Sequence, residues 1–256
     1  MNDPQPPVIR AVWPDPGSDP VTEAGLIERY AVADRSRPWL RLNFVTSVDG
    51  AVTLDGYSEG LSGVADKQVF GMLRMVCDAL LVGAGTLRNE GYGAIRLTAE
   101  RQAWRAAHGL AEHPTLVVVS SRLDLDPASP MFTEAPVRPV VLTHGAAPPD
   151  RAAALRPVAD VLVHGDVEVD LRAGLAALHA RGLRQILSEG GPHVLGTLTA
   201  QDLVDEVCLT ISPLLVGPGP GRITAGLPAP AARRLELTQI LAAEDALLLR
   251  YLRVGA

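Results

Sequence analysis

Five consecutive residues, Ala79-Leu80-Leu81-Val82-Gly83, carry no polar side chain and run straight into a second glycine, Gly85. A strand this short and this uniformly apolar is buried on both faces, and such strands belong to parallel sheets covered by helices. Residues 116–119 and 140–143 repeat the pattern, and residues 185–188 form a further core strand. Between them the periodicity turns helical. Val69, Phe70, Leu73 and Val76 fall on one face of a helix over 66–76, and residues 171–181 form another. Residues 39–46 alternate as a strand, and a helix follows Pro192 to about Thr199. The last third changes character: residues 206–212, 235–241 and 246–254 are longer strands with no helical spacer, which predicts antiparallel pairing. The fold class is therefore α/β, with a mixed, mostly parallel sheet, helices on both faces and antiparallel strands at the C-terminus.

The first twenty residues hold Pro4, Pro6, Pro7, Pro14, Pro16 and Pro20. No helix fits between these prolines, so an extended or disordered arm is expected. A short helix follows over 21–32, with Thr22 as N-cap and Leu26, Ile27 and Tyr30 on one face. The chain thus divides into an arm with a short helix, residues 1–37, and one domain, residues 38–256.

Charge excludes one class of partner. The 23 Lys and Arg against 29 Asp and Glu give a net charge of -6, opposite to a nucleic-acid-binding footprint. Lys67 is the only lysine, which leaves arginine to bind any phosphate. A membrane span needs about 20 apolar residues, and no run approaches that length. No secretory leader is visible, and Cys77 and Cys208 lack paired spacing and read as buried thiols. A cytoplasmic protein is expected.

Ligands collect beyond the carboxyl ends of parallel strands, and three loops there are unusual. Ser47-Val48-Asp49-Gly50 follows the strand that holds Asn43, and by residue type it reads as a tight turn. Gly83-Ala84-Gly85-Thr86 lacks the GxGxxG spacing, and reads equally as a structural turn or a phosphate loop. Glu189-Gly190-Gly191-Pro192 is either a helix start open to an anion or a Gly-Gly turn with a solvated glutamate. The six histidines show no metal-ligand spacing, and no GxSxG or GxxxxGKS motif occurs.

Taken in order, the three loops resemble the reductase domain of the riboflavin-pathway deaminase–reductase, within the dihydrofolate-reductase-like superfamily. The resemblance rests on Ser47 to Gly50, Asp78 to Thr86, Glu189 to Gly191, Asp205-Glu206 and Ser212-Pro213, and spans roughly residues 38 to 254. No HxE or PCxxC pattern of a zinc deaminase is present, so the chain looks most like the stand-alone pyrimidine reductases. The resemblance implies an NADPH-dependent reductase that converts a 5-amino-6-ribosylamino-pyrimidinedione phosphate to its ribitylamino form. The sugar opens to an imine-like carbon that accepts hydride, so neither nucleophile nor metal is needed.

Carried over to this sequence, the cofactor contacts are Gly83, Gly85, Thr86, Glu90, Ser121 and Gly190, with Gly191, Pro192, His193, Val194, Leu195, Gly196 and Thr197 as the pyrophosphate cradle. The substrate contacts are Asn43, Ser47, Asp49, Arg74, Arg96 and Glu189, with Arg74 facing the phosphate. Asp49, on the pocket floor, and Glu189 are the catalytic candidates; a buried Asp49 with a raised pKa would be a general acid. Where the family carries Asp-x-Pro after G-x-G-T, this chain has Asn89-Glu90-Gly91-Tyr92, and Asn43 replaces a lysine. The alternatives are a dihydrofolate- or pterin-type reductase on the same fold and a non-catalytic NADPH-binding protein. Asp49, Arg74 and Glu189 together favour an enzyme. The long C-terminal strands, read as edges, and the family both point to a homodimer.

Overall fold

The computed structural model describes residues 7–255. One sheet contains ten strands: β1 (Ile9–Trp13), β2 (Trp39–Ser47), β3 (Ala79–Gly83), β4 (Thr115–Val119), β5 (Val140–Thr143), β6 (Asp160–Val163), β7 (Gln185–Ser188), β8 (Glu206–Ser212), β9 (Leu235–Ala243) and β10 (Ala246–Arg253). Their order is β1-β9-β10-β8-β2-β7-β3-β4-β5-β6. Every pairing from β8 to β6 is parallel, and β8, β10, β9 and β1 pair antiparallel. The mixed sheet expected from the apolar runs is the one observed.

The helices are α1 (Glu23–Arg29), α2 (Val64–Val76), α3 (Ala84–Asn89), α4 (Ala99–Ala107), α5 (Pro130–Thr133), α6 (Pro149–Leu155), α7 (Leu171–Ala180) and α8 (Pro192–Ala200). Strand β3 shows why its sequence admits no polar residue. Leu80 and Val82 join Leu26, Val69 and Leu73 in one core, while Ala79 and Leu81 join Leu171, Leu175, Leu195 and Leu198 in the other. Successive side chains of a strand point to opposite faces, and here both faces are covered.

The proline-rich arm is extended, as expected, over residues 9–13, and it is paired there rather than disordered. Residues 9–13 form an edge strand on β9, with Ile9 opposite Ala243 and Ala11 opposite Leu241. Ile9 and Ala11 point into the core, and Val12 and Trp13 point out. The prolines exclude a helix, but residues 8–13 are free of proline and long enough for a strand, which proline tolerates at a sheet edge. Pro4 and Pro6 lie outside the described residues. Thr22 caps α1 as its sequence implies, accepting from Gly25 N at 3.1 Å. The sheet edges are β1 and β6, so the long C-terminal strands are interior.

A buried charge cluster fastens α1 to the sheet. The Glu206 carboxylate is fully buried and meets Arg250 Nε at 2.7 Å, Trp39 Nε1 at 2.7 Å and Arg41 Nε at 2.9 Å. Burial pushes its pKa up, but Arg41 and Arg250 outweigh burial and hold it below the usual glutamate value. The same arginines donate to the carbonyls of Tyr30 and Arg29, at the C-terminal end of α1. Cys77 and Cys208 are buried and unpaired. Among the described residues, no helix is long and apolar enough to cross a membrane.

Candidate active site

The carboxyl ends of β3, β4 and β7 open, beside β2, onto a cleft of about 1280 Å³. Its floor is two interlocked loops. Gly83 N, at the end of β3, donates to Gly190 O at 2.7 Å. A Cβ on Gly83 would lie 3.1 Å from both Gly191 N and Val194 Cγ2, and one on Gly191 would lie 2.3 Å from Thr86 Oγ1. These glycines let one loop pack on the other rather than on a ligand. Gly85 differs: nothing lies within 4 Å of a Cβ there, so its open side faces the cleft. The Gly190–Gly191 peptide is cis. Helix α8 then starts at Pro192 with no side-chain cap among the described residues, and its first residues, Pro192 to Val194, line the cleft.

The opposite wall comes from α2. Asp66, Phe70 and Arg74 stand four residues apart, and all three line the cleft. Arg74 donates from Nε to Glu189 Oε1 at 2.7 Å and from Nη2 to Oε2 at 2.6 Å. Tyr92 adds its hydroxyl, donating to Oε2 at 2.8 Å. The Arg74 guanidinium lies 4.1 Å from the Phe70 ring centre and 5.4 Å from that of Tyr92. Burial lowers the pKa of Arg74, but Glu189 more than reverses this, so the arginine stays charged. Burial and the Glu189 charge push the Tyr92 phenol well up, which keeps it a neutral donor.

The sequence-expected residues separate into three groups. Gly83, Gly85, Thr86, Glu90, Ser121, Gly191, Pro192, His193, Val194, Gly196 and Thr197 line the cleft with Asn43, Arg74, Arg96 and Glu189. Within this group Glu90 accepts from Ser58 N at 3.2 Å, and Arg96, on the exposed rim, donates to Glu134 O at 2.6 Å. Gly190 contributes through its backbone carbonyl. Leu195 turns the other way, into the α7–α8 core, because it lies on the buried face of α8.

Asp49 and Ser47 depart most from expectation. Asp49 is exposed and does not line the cleft. It accepts from Ser47 Oγ at 2.5 Å, from Val216 N at 3.2 Å and from Gly217 N at 2.7 Å. The Ser47 hydrogen bond, reinforced by the two backbone donors, holds its carboxyl at about 2, the reverse of a raised general acid. Ser47 is buried and serves the turn, its Oγ accepting from Ala51 N at 2.9 Å. The pair therefore pins the start of a long loop, residues 213–234, whose far part rests on α8: Ala225 N donates to Pro192 O at 2.9 Å. Sequence reading missed Phe70 as a site residue, and it marked Tyr92 only as a departure that alters the loop, without a contact. Phe70 shares the helical period of the core face, and Tyr92 belongs to a loop with no periodicity.

Residues 38–249 match the RibD C-terminal domain family. The chain belongs to that family. A 2,5-diamino-6-ribosylamino-4(3H)-pyrimidinone 5′-phosphate reductase of Methanothermobacter thermautotrophicus is 36% identical over 182 residues, covering 71% of this chain and 80% of that protein. The Archaeoglobus fulgidus protein of the same description is 30% identical over 182 residues, covering 71% and 83%. A pyrimidine reductase-like protein of Corynebacterium diphtheriae superposes with a TM-score of 0.81 at 28% identity, over 90% of this chain and 99% of that one. The RibD C-terminal domain match thus covers all the parallel strands and both interlocked loops, whereas β1 and α1 precede it.

Proposed function

We propose that this RibD C-terminal domain protein is an NADPH-dependent reductase of a ribosylaminopyrimidine phosphate, yielding the ribitylamino product. One observation carries the reading: a single cleft joins the uncapped start of α8 to the Arg74–Glu189 pair. The first suits an anionic dinucleotide and the second a polar heterocycle. The residues fit such a cofactor. Gly85 leaves the backbone open to close approach, Thr86 and Ser121 border the same space, and the α8 N-terminus favours a pyrophosphate. A reduced nicotinamide held there would supply the hydride for the reduction.

The chain's own share is binding and alignment. Holding two reactants in a near-attack arrangement accounts for about 7–11 kcal/mol of a barrier at best. Glu189, gripped by Arg74, offers an acceptor to ring or exocyclic N–H groups. Arg74 is already paired by that bond, as Lys67 is with Glu59 and Arg88 with Asp124, so Arg96 and Arg122, which make no ion pair among the described residues, are the cleft cations left for a substrate phosphate.

The test is NADPH fluorescence quenching followed by absorbance at the nicotinamide band. The substrates offered are the 5-amino pyrimidinedione, the 2,5-diamino pyrimidinone named for the archaeal relatives, and dihydrofolate. Oxidation with either ribosylaminopyrimidine supports the proposal. Oxidation with dihydrofolate alone would make it a folate-type reductase, and binding with no turnover would make it a cofactor-binding protein.

A further inference from the structure

Tyr92 lies in the segment where the chain leaves the family pattern, Asn89-Glu90-Gly91-Tyr92. Gly91 takes φ +65°, a conformation that favours glycine, and Tyr92 N then donates to Leu87 O at 3.1 Å. This turn lays the Tyr92 ring against the α2 core and beside the Arg74 guanidinium. Its hydroxyl meets a carboxylate whose charge Arg74 already balances. The hydroxyl is therefore not needed for neutralisation.

What it changes is the number and direction of acceptors. A carboxylate offers about four acceptor positions. Arg74 occupies one on each oxygen and Tyr92 occupies the second on Oε2, which leaves Oε1 with the remaining one. We infer that Tyr92 is a positioning residue that acts through Glu189, fixing the carboxylate plane so that a single acceptor serves the N–H edge of the pyrimidine. This rests on the reductase reading of the same cleft. Without the hydroxyl, Glu189 presents acceptors on both oxygens and the heterocycle gains a second way to dock.

The experiment is a double-mutant cycle in the full chain with Tyr92→Phe, Glu189→Gln and the pair. The substrate is the 2,5-diamino pyrimidinone phosphate, and NADPH affinity and thermal unfolding are followed in parallel. Misplacing reacting groups by about 1 Å costs on the order of 100-fold, so the smaller slip allowed by Y92F should lower kcat about tenfold. NADPH affinity should not change, and the melting temperature should fall only by the loss of one buried hydrogen bond to a carboxylate. In the Glu189→Gln background, Tyr92→Phe should have no further effect, because the two act as one unit. Tyr92→Trp, which keeps an aromatic face and an N–H donor, should recover part of the kcat that Tyr92→Leu loses.

Wild-type kcat in Y92F, or losses that add in full across the cycle, would overturn the role while leaving the reductase intact. A wild-type protein that turns over none of the pyrimidines would withdraw the functional reading, and this inference with it.

Discussion

Arg74 on α2 and Glu189 at the end of β7 are joined by two parallel hydrogen bonds, 2.7 and 2.6 Å long, across the mouth of the sheet. The glutamate side chain is 2% exposed and the arginine 22%. The pair couples the helix that forms one wall of the cleft to the strand that feeds the interlocked loops. It is a structural clasp as well as part of the cleft lining.

Breaking the clasp from one side should therefore cost stability, not only binding. Arg74→Ala leaves Glu189 buried with only Tyr92 as donor, and an unpaired buried charge costs about 3–5 kcal/mol. Removing both charges, with Arg74→Leu and Glu189→Leu together, should destabilise less than Arg74→Ala alone. Urea unfolding midpoints of the three proteins decide the matter. A single variant as stable as wild type would show that water, not Arg74, satisfies Glu189.

Two glycines of the cleft, Gly85 and Gly196, should respond in opposite ways. Gly85 sits in the first turn of α3 with free space beside it, so Gly85→Ala should stabilise the fold by roughly 0.5–1 kcal/mol. The new methyl group should nevertheless weaken NADPH binding, because it enters the cleft. Gly196→Ala would bring a methyl within 1.9 Å of Ala225 O, so the 213–234 loop must move. That overpacking should cost about 1–3 kcal/mol. Thermal unfolding and fluorescence titration together give the two signs, and a Gly85→Ala protein that binds NADPH like wild type would remove that loop from the cofactor site.

Much of this architecture was legible because strands buried on both faces leave a strong signature. Residues 79–83 and 185–188 could be bounded to the residue, and the order of three glycine-containing loops carried the family. The rest depended on contacts that no local pattern encodes. Asp49 lies in a loop read as that of a pocket carboxylate, yet besides Ser47 its partners are amides 167 and 168 residues further along the chain. Gly83 and Gly191 look like ligand-approach glycines, but each makes room for the other's loop. Strand β6 carries the apolar run Val161 to Val163 but sits at the sheet edge, where it is only half-buried.

For Asp49 the acid range is informative. Its folded carboxyl is held at about 2, below the 3.8 of an unperturbed aspartate. A depressed pKa means that its stabilising contribution is complete above about pH 4 and is lost as pH falls through 2. Turnover between pH 5 and 9 should not depend on this group. Asp49→Asn should instead raise hydrogen exchange at Val216 and Gly217, whose amides it accepts in the wild type. An NMR titration of Asp49 with a midpoint at or above 3.8 would refute the anchor, as would unchanged protection of both amides in the variant.

The edge strand β1 supplies the last expectation. It covers the outer edge of β9, and its Ile9 is 1% exposed. A chain lacking residues 1–13 would bare the backbone donors and acceptors of β9 over Ile240 to Ala243, next to a gap where Ile9 and Ala11 had packed. Losing one buried isoleucine alone costs about 2–5 kcal/mol. An uncovered edge also invites pairing with another chain. The truncated protein should therefore melt at a lower temperature and form larger species as concentration rises, while Ile9→Ala in the full chain should show the lower melting temperature without the association. Sedimentation velocity across a concentration series separates the two effects. A truncated protein that matches the full chain in both size and melting temperature would mean that β1 adds nothing to the sheet it completes.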